Sequence, residues 1–190
     1  MLMETGYIGM GANLASGAGP PESTLAAATL RLESLGRVVS RSSLYSTEPV
    51  GFAEQPRFVN AVVALETELD PRMLLEGLLG IELEFGRDRT AGFANGPRTL
   101  DLDILLFGKI QLNEPGLEIP HPRLAERAFV LVPLNEIAPP TLNAGSGKTV
   151  SQLLHSLFLD PKSRMHEVVK IQSDAWCIGA GRSITIPGEA

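Results

Sequence analysis

Short apolar runs alternate with amphipathic stretches along this chain, and the spacing of each predicts its type. Thr5 to Met10 reads as a strand ending in Gly9-Met10-Gly11-Ala12-Asn13-Leu14, where two glycines and an asparagine mark a tight turn. Pro20 and Pro21 open a helix in which Leu25, Ala28, Leu32 and Leu35 recur at helical spacing, with Gly36 as its stop. Arg37 to Tyr45 predicts a second strand and Phe58 to Thr67 a third, interrupted by one polar residue, Asn60. Between them, Ser46 to Phe52 is a Pro- and Gly-bearing loop. Asp70-Pro71 is a cap followed by proline at the first helical position, and Leu74, Leu75, Leu78, Ile81, Glu82 and Phe85 carry that helix to Gly86. A flexible, charged loop from Arg87 to Pro97 then delivers Arg87 and Arg89 to a strand over Leu100 to Phe107.

This order, β-α-β-β-α-β, predicts an α/β (α+β) chain, a ferredoxin-like sandwich with two helices on one face of an antiparallel sheet. Leu124 to Leu134 predicts a short helix or turn crossing the sheet, and Val150 to Leu159 an additional amphipathic helix toward the C-terminus. These are expected to cover part of the open face or to rim a cleft. Residues 1–160 are taken as the domain. Residues 161–190 are taken as a C-terminal extension, an edge strand over Glu167 to Gln172 followed by a loose tail from Gly179.

Composition narrows the class. A chain of 190 residues with 44% hydrophobic content is long enough for one core without staples. No apolar run reaches membrane-spanning length and the N-terminus lacks the pattern of a signal peptide, so a cytoplasmic protein with no membrane partner is expected. The single cysteine, Cys177, excludes an intrachain disulfide. A net charge of -6 opposes broad adhesion to nucleic acid, so any phosphate must be held by a local basic cluster.

Such a cluster accompanies the strand Leu100-Asp101-Leu102-Asp103-Ile104-Leu105-Leu106-Phe107. Alternation points Leu100, Leu102, Ile104 and Leu106 one way and Asp101 with Asp103 the other, the two carboxylates roughly 7 Å apart along the strand. A solvated edge strand would tolerate them. A buried face would not, unless a cation lay between them, and hard carboxylate oxygens suit Mg2+ carrying a phosphate chain. Arg98, a guanidinium suited to phosphate oxygens, tips the reading toward a metal-phosphate site. By contrast, Gly145-Ser146-Gly147-Lys148-Thr149 only imitates the end of a P-loop, because Leu142 stands where the motif requires glycine. A noncatalytic ligand-binding module on the same fold is the competing reading, and the paired aspartates with nearby arginines argue against it.

Three segments in order, GANL at Gly11 to Leu14, GPRTLDLDILLFG at Gly96 to Gly108 and IPHPRLAERAFVLVPLNEIAP at Ile119 to Pro139, resemble the 6-hydroxymethyl-7,8-dihydropterin pyrophosphokinase family of folate biosynthesis. The resemblance runs from about Tyr7 to Leu159. It implies a ferredoxin-like fold, ATP as co-substrate, two Mg2+ ions held by Asp101 and Asp103, and transfer of pyrophosphate to the hydroxymethyl group of a reduced pterin with release of AMP. Carried over by position, it implies catalytic roles for Arg87, Arg89, Arg98, Asp101 and Asp103. It assigns Glu82, Arg98, Ile104, His121 and Arg127 to ATP. Thr47, Val50, Phe58, Asn60 and Phe129 would hold the pterin, with the two rings sandwiching it. Phe58 stands where a tyrosine is common, Asn95 where many members have tryptophan, and Leu79 and Gly116 where some members place a polar or basic ATP contact.

Overall fold

The computed structural model describes residues 2–51, 54–87, 96–160 and 167–178. Strands β1 (Glu4–Ala12), β2 (Arg37–Arg41), β3 (Leu44–Thr47), β4 (Phe58–Thr67) and β5 (Asp101–Phe107) form the sheet together with β8 (Val168–Ile171). Helices α1 (Pro21–Leu32) and α2 (Pro71–Glu84) follow β1 and β4. A hairpin of β6 (Leu112–Glu114) and β7 (Leu117–Ile119), a 3-10 turn at Leu124–Glu126, α3 (Ala128–Ile137) and α4 (Val150–Leu159) come before β8, and α5 (Asp174–Ile178) after it. The sheet runs β5-β1-β4-β3-β8, with β2 also pairing to β4, and its pairings are antiparallel. This is the predicted ferredoxin-like arrangement with one strand added at the edge.

Burial follows from the sheet having two covered faces. Leu25, Ala28 and Leu32 of α1 and Leu74, Leu78 and Ile81 of α2 pack on one face against Ile8, Val63 and Leu65. On the other face, Leu131 and Leu134 of α3 with Val150 and Leu153 of α4 pack against Val62, Leu105 and Leu106. Central strand β4 is therefore apolar on both sides, which explains its almost continuous hydrophobic run. The part of the second face that α3 and α4 leave uncovered becomes a cleft.

Three expectations need correction. The predicted strand Arg37 to Tyr45 is two strands, because at Ser42 the ladder is half broken: its N–H still donates to Val62 O (2.9 Å), but its hydroxyl, not its carbonyl, accepts from Val62 N (3.0 Å) and donates to Ser43 O (2.7 Å). Leu106 does not share a face with Leu102 and Ile104. The register on β1 jumps from Tyr7↔Leu106 to Ile8↔Ile104, so Leu105 is an extra, bulged residue and both it and Leu106 join the core under α3 and α4. Gly36 is not the helix stop, since α1 ends at Leu32. It is required where the chain enters β2, because a Cβ there would collide with the carbonyl oxygen of Glu66 on β4. The hairpin β6-β7 is an element that the apolar pattern did not predict, since its strands are only three residues each.

Glycines 36 and 80 should respond oppositely to substitution. A Cβ at Gly80, inside α2, meets nothing within 4 Å. Gly80→Ala is expected to raise stability by about 0.5–1 kcal/mol through helix propensity, whereas Gly36→Ala must push β2 off β4 and lower it. Chemical denaturation of the two variants beside the parent chain checks the signs.

Candidate active site

Strand β5 sets the site. Asp101 and Asp103 lie opposite Gly11 and Gly9 of β1, so the two carboxylates stand on the cleft face beside backbone that carries no side chains. Arg98 reaches Asp101 from the turn just before β5, its Nη1 donating to Oδ2 at 2.6 Å, and Arg87 places Nη2 3.7 Å from the other carboxylate oxygen. The turn itself is fixed by Asn13. Its Oδ1 accepts from Arg98 N (2.8 Å), its own N–H donates to Arg98 O (3.0 Å), and its Nδ2 donates to Gln55 Oε1 and Pro56 O. Burial, and then the charge of Asp101, push the Asp103 carboxyl up to about 6, although Arg127 and Arg98 pull the other way.

Because β5 is the outer strand on this side, its outward backbone groups need partners from elsewhere. Glu82 of α2, buried at 1% exposure, accepts from Leu102 N through Oε1 at 2.8 Å. His121 N donates to Leu105 O at 2.9 Å, which draws the segment after β7 against the strand. The His121 Nδ1 accepts from Arg123 N (3.1 Å), so Nε2 carries the ring proton. Burial, then Arg127 and Arg123, lower the imidazole to about 4, and it is neutral near pH 7. It is thus a hydrogen-bond donor to an anion, and a weak base.

The other end of the cleft is aromatic. Phe58 and Asn60 point to the same face of β4, with Thr47 of β3 alongside, and Asn60 Nδ2 donates to Thr47 Oγ1 at 2.8 Å. Phe129 of α3 lines the same cleft. Each ring has a guanidinium over it, Arg98 at 5.2 Å from the Phe58 centroid and Arg127 at 5.6 Å from that of Phe129.

These parts enclose about 370 Å³, lined by Thr47, Val50, Phe58, Asn60, Arg87, Arg98, Asp101, Asp103, His121, Arg127 and Phe129. A second cleft of about 390 Å³ holds Leu75, Leu79, Ile104, Gly116 and Leu117. The two share Asp103 and His121, so a long ligand can occupy both. Of the residues expected from sequence, Arg89 falls outside the described residues. Glu82 lines neither cleft; it sits behind β5 as a backbone acceptor, a position that its helical spacing among leucines disguised. Arg123, which was assigned no role from sequence, lines the first cleft. Glu48 and Met10 also line it and had no sequence signal, whereas Asn13, marked in the sequence only as part of a turn, is buried.

Among the described residues no set of three or more His, Cys, Asp or Glu is arranged to hold a metal ion, and no helix is long and apolar enough to cross a membrane. The carboxylate pair is therefore an incomplete ligand set that suits an ion bringing its own oxygen ligands.

Known proteins place this arrangement. The model of the 7,8-dihydro-6-hydroxymethylpterin-pyrophosphokinase family matches residues 7–139. The chain is 47% identical over 150 residues to the 2-amino-4-hydroxy-6-hydroxymethyldihydropteridine pyrophosphokinase of Pseudomonas aeruginosa, covering 78% of this chain and 88% of that one. It is 42% identical over 157 residues to the enzyme of the same name from Methylorubrum extorquens, covering 82% and 94%. Among solved structures, the HPPK-DHPS of Plasmodium falciparum with STZ-DHP superposes with a TM-score of 0.63 at 16% identity, over 82% of this chain and 43% of that chain, a likeness of fold. The chain belongs to the 7,8-dihydro-6-hydroxymethylpterin-pyrophosphokinase family.

Proposed function

We infer that this chain transfers the pyrophosphoryl group of ATP to the hydroxymethyl group of 6-hydroxymethyl-7,8-dihydropterin, giving the pterin diphosphate and AMP, as a step of folate biosynthesis. The observation that carries the reading is the junction of two clefts at Asp103 and His121, one containing two phenylalanines and an amide, the other with Leu75, Leu79, Ile104 and Leu117 beside Asn113, Glu114 and Glu118. The first fits a flat heterocycle with a polar edge, the second the adenosine end of ATP. The phosphates then cross the arginine-rich junction between them. A cytoplasmic site for this chemistry agrees with the lone cysteine.

Asp101 and Asp103 fit Mg2+, two ions in our reading, because their oxygens are hard and the remaining positions are open to phosphate and water. When bound, Mg2+ neutralises the phosphate chain and polarises its oxygens. The chain's own residues do the rest. Arg87, Arg98, Arg123 and Arg127 line the first cleft and outnumber its carboxylates at the junction, so they hold the anionic chain in line. Arg87 Nε is buried without a hydrogen-bond partner among the described residues, a donor left for an incoming anion. His121, neutral, donates through Nε2 to the departing phosphate side without adding a titration in the neutral range. Arg89, which the family resemblance assigns to the same clamp, is proposed to complete it. Phe58 and Phe129 hold the pterin ring between them while Asn60, fixed by Thr47, presents its amide carbonyl with the Val50 backbone at the polar edge.

The product identifies the reaction. Protein, Mg2+, ATP and the hydroxymethyl pterin should yield AMP in stoichiometric, pterin-dependent amounts by chromatography. Pterin-dependent ADP would overturn the pyrophosphoryl step.

Asp101→Asn and Asp103→Asn should each lower AMP formation roughly a thousandfold or more with the circular dichroism spectrum retained. The free Asp103 carboxyl is raised to about 6, so below that pH a proton competes with the metal. Mn2+ affinity, followed by electron paramagnetic resonance, should be flat above pH ~7 and fall about tenfold per unit below ~6, the slope of one released proton. A slope absent between pH 5 and 6 would remove Asp103 from the ligand set.

Phe129→Ala should lose stacking worth about 1 kcal/mol beyond its buried area, and Asn60→Ala should cost roughly 1–3 kcal/mol by leaving polar pterin atoms unpaired. Calorimetry with unchanged pterin affinity in both variants would move the pocket.

A further inference from the structure

The family match ends at residue 139, yet Val168–Ile171 add a strand to the sheet beside β3, on the pterin side of the molecule, and Asp174–Ile178 follow it as a short helix. Strand β3 is four residues long and ends at Thr47, the partner of Asn60. Without β8 it would be an edge. β8 pairs along its whole length, Leu44↔Ile171 through Thr47↔Val168, which puts Val168 and Lys170 on the face that carries Thr47 and Tyr45.

Three ties hold this segment. Trp176 is 7% exposed within the core under α1, and its indole N–H donates to Ser42 O at 2.9 Å, at the break between β2 and β3. Arg41 stacks on the same ring, 4.9 Å from its centroid. Lys170 Nζ reaches Glu136 of α3 at 3.2 Å, and that carboxylate also accepts from Ser43 N, Ser43 Oγ and Tyr45 Oη at 2.7–2.9 Å. Tyr45 stands directly opposite Asn60 in the β3-β4 pairing. At the far end, Arg57, the residue before Phe58, lies 3.5 Å from Glu167 and 3.4 Å from Glu48.

We propose that residues 167–178 are a positioning brace for the pterin pocket, clamping β3 from outside so that Thr47 and Asn60 are held in the geometry that reads the heterocycle's polar edge. The proposal rests on the pterin assignment above. A short strand bearing one wall of a pocket gains definition when both its edges are paired, since local opening of an edge strand displaces every side chain on it. The brace pairs with β3 and with none of the residues that line the second cleft, so its loss acts on the pterin and spares the nucleotide.

The test uses the full chain with Trp176→Ala, Trp176→Phe and Lys170→Met. Calorimetry measures the hydroxymethyl pterin in the presence of Mg2+ and a non-hydrolysable ATP analogue, and separately measures the analogue with Mg2+. Trp176→Ala is expected to weaken the pterin about three- to tenfold and to leave the analogue within twofold, with Trp176→Phe restoring part of the loss. Lys170→Met, an exposed side chain whose removal leaves the core intact, should weaken the pterin about two- to threefold. Hydrogen exchange in peptides spanning 42–50 should speed up in Trp176→Ala. Parallel loss of both ligands, or pterin affinity unchanged in both Trp176→Ala and Lys170→Met, overturns the brace. If Trp176→Ala does not fold, the Lys170→Met result decides alone. A parent chain that binds no pterin at all sinks the pocket assignment instead, which keeps the two failures distinct.

Discussion

Everything in this molecule turns on a strand that is both an edge and a carrier of two carboxylates. An edge strand must satisfy its outward backbone groups, and a pair of acidic residues on its inner side must be compensated by opposite charge. The chain meets both demands with side chains that are also useful. Glu82 takes the Leu102 N–H from behind, and His121 arrives at the junction of the clefts because its own N–H closes on Leu105 O. Arg98 neutralises Asp101 and is itself held by Asn13 at the end of β1. The site is thus assembled by the hydrogen bonds that finish the sheet.

Charge is distributed with the same economy. The whole chain carries -6, while the first cleft collects Arg87, Arg98, Arg123 and Arg127 around two aspartates. In the free chain those cations are partly engaged, Arg98 with Asp101 and the Phe58 ring, Arg127 over Phe129. An incoming phosphate chain offers stronger, charge-assisted partners, and a heterocycle competes for the rings. In the proposed function the same residues would therefore face both substrates, and a change to either arginine is expected to be felt by both.

The ferredoxin-like order was legible because the helices announce their caps and the strands their apolar runs: Pro21 and Asp70-Pro71 start helices, and FVNAVVALET and DLDILLF read as strands. The aspartate face was legible for the same reason. What escaped were features set by tertiary contact. The bulge at Leu105 and the break at Ser42 depend on how β5 meets β1 and how β3 meets β4, which no single-strand pattern contains. Glu82 looks like one more residue of an amphipathic helix, and its acceptor role appears only when the edge of β5 is brought beside it. Arg123 and Trp176 lacked any local signal, because what makes each matter lies far away in sequence.

The glycines of β1 show why position in the sheet decides such cases. Gly9 and Gly11 share a face with Asp103 and Asp101, and both line the cleft floor. A Cβ at Gly9 would press on Leu105 at 3.2 Å, and one at Gly11 would meet Asn60 Oδ1 at 3.2 Å. Leu105 is the bulged residue, so Gly9 makes the room that the bulge needs, and the bulge in turn sends Leu106 to the core beneath α3 and α4. Gly11 does the same for the amide of the aromatic pocket. Glycine weakens a strand, yet three of them, Gly6, Gly9 and Gly11, occupy a central one, between β4 and β5. The compensation lies in pairing on both sides along the strand, and what the missing side chains leave is open floor at the one place where carboxylates, arginines and an amide converge.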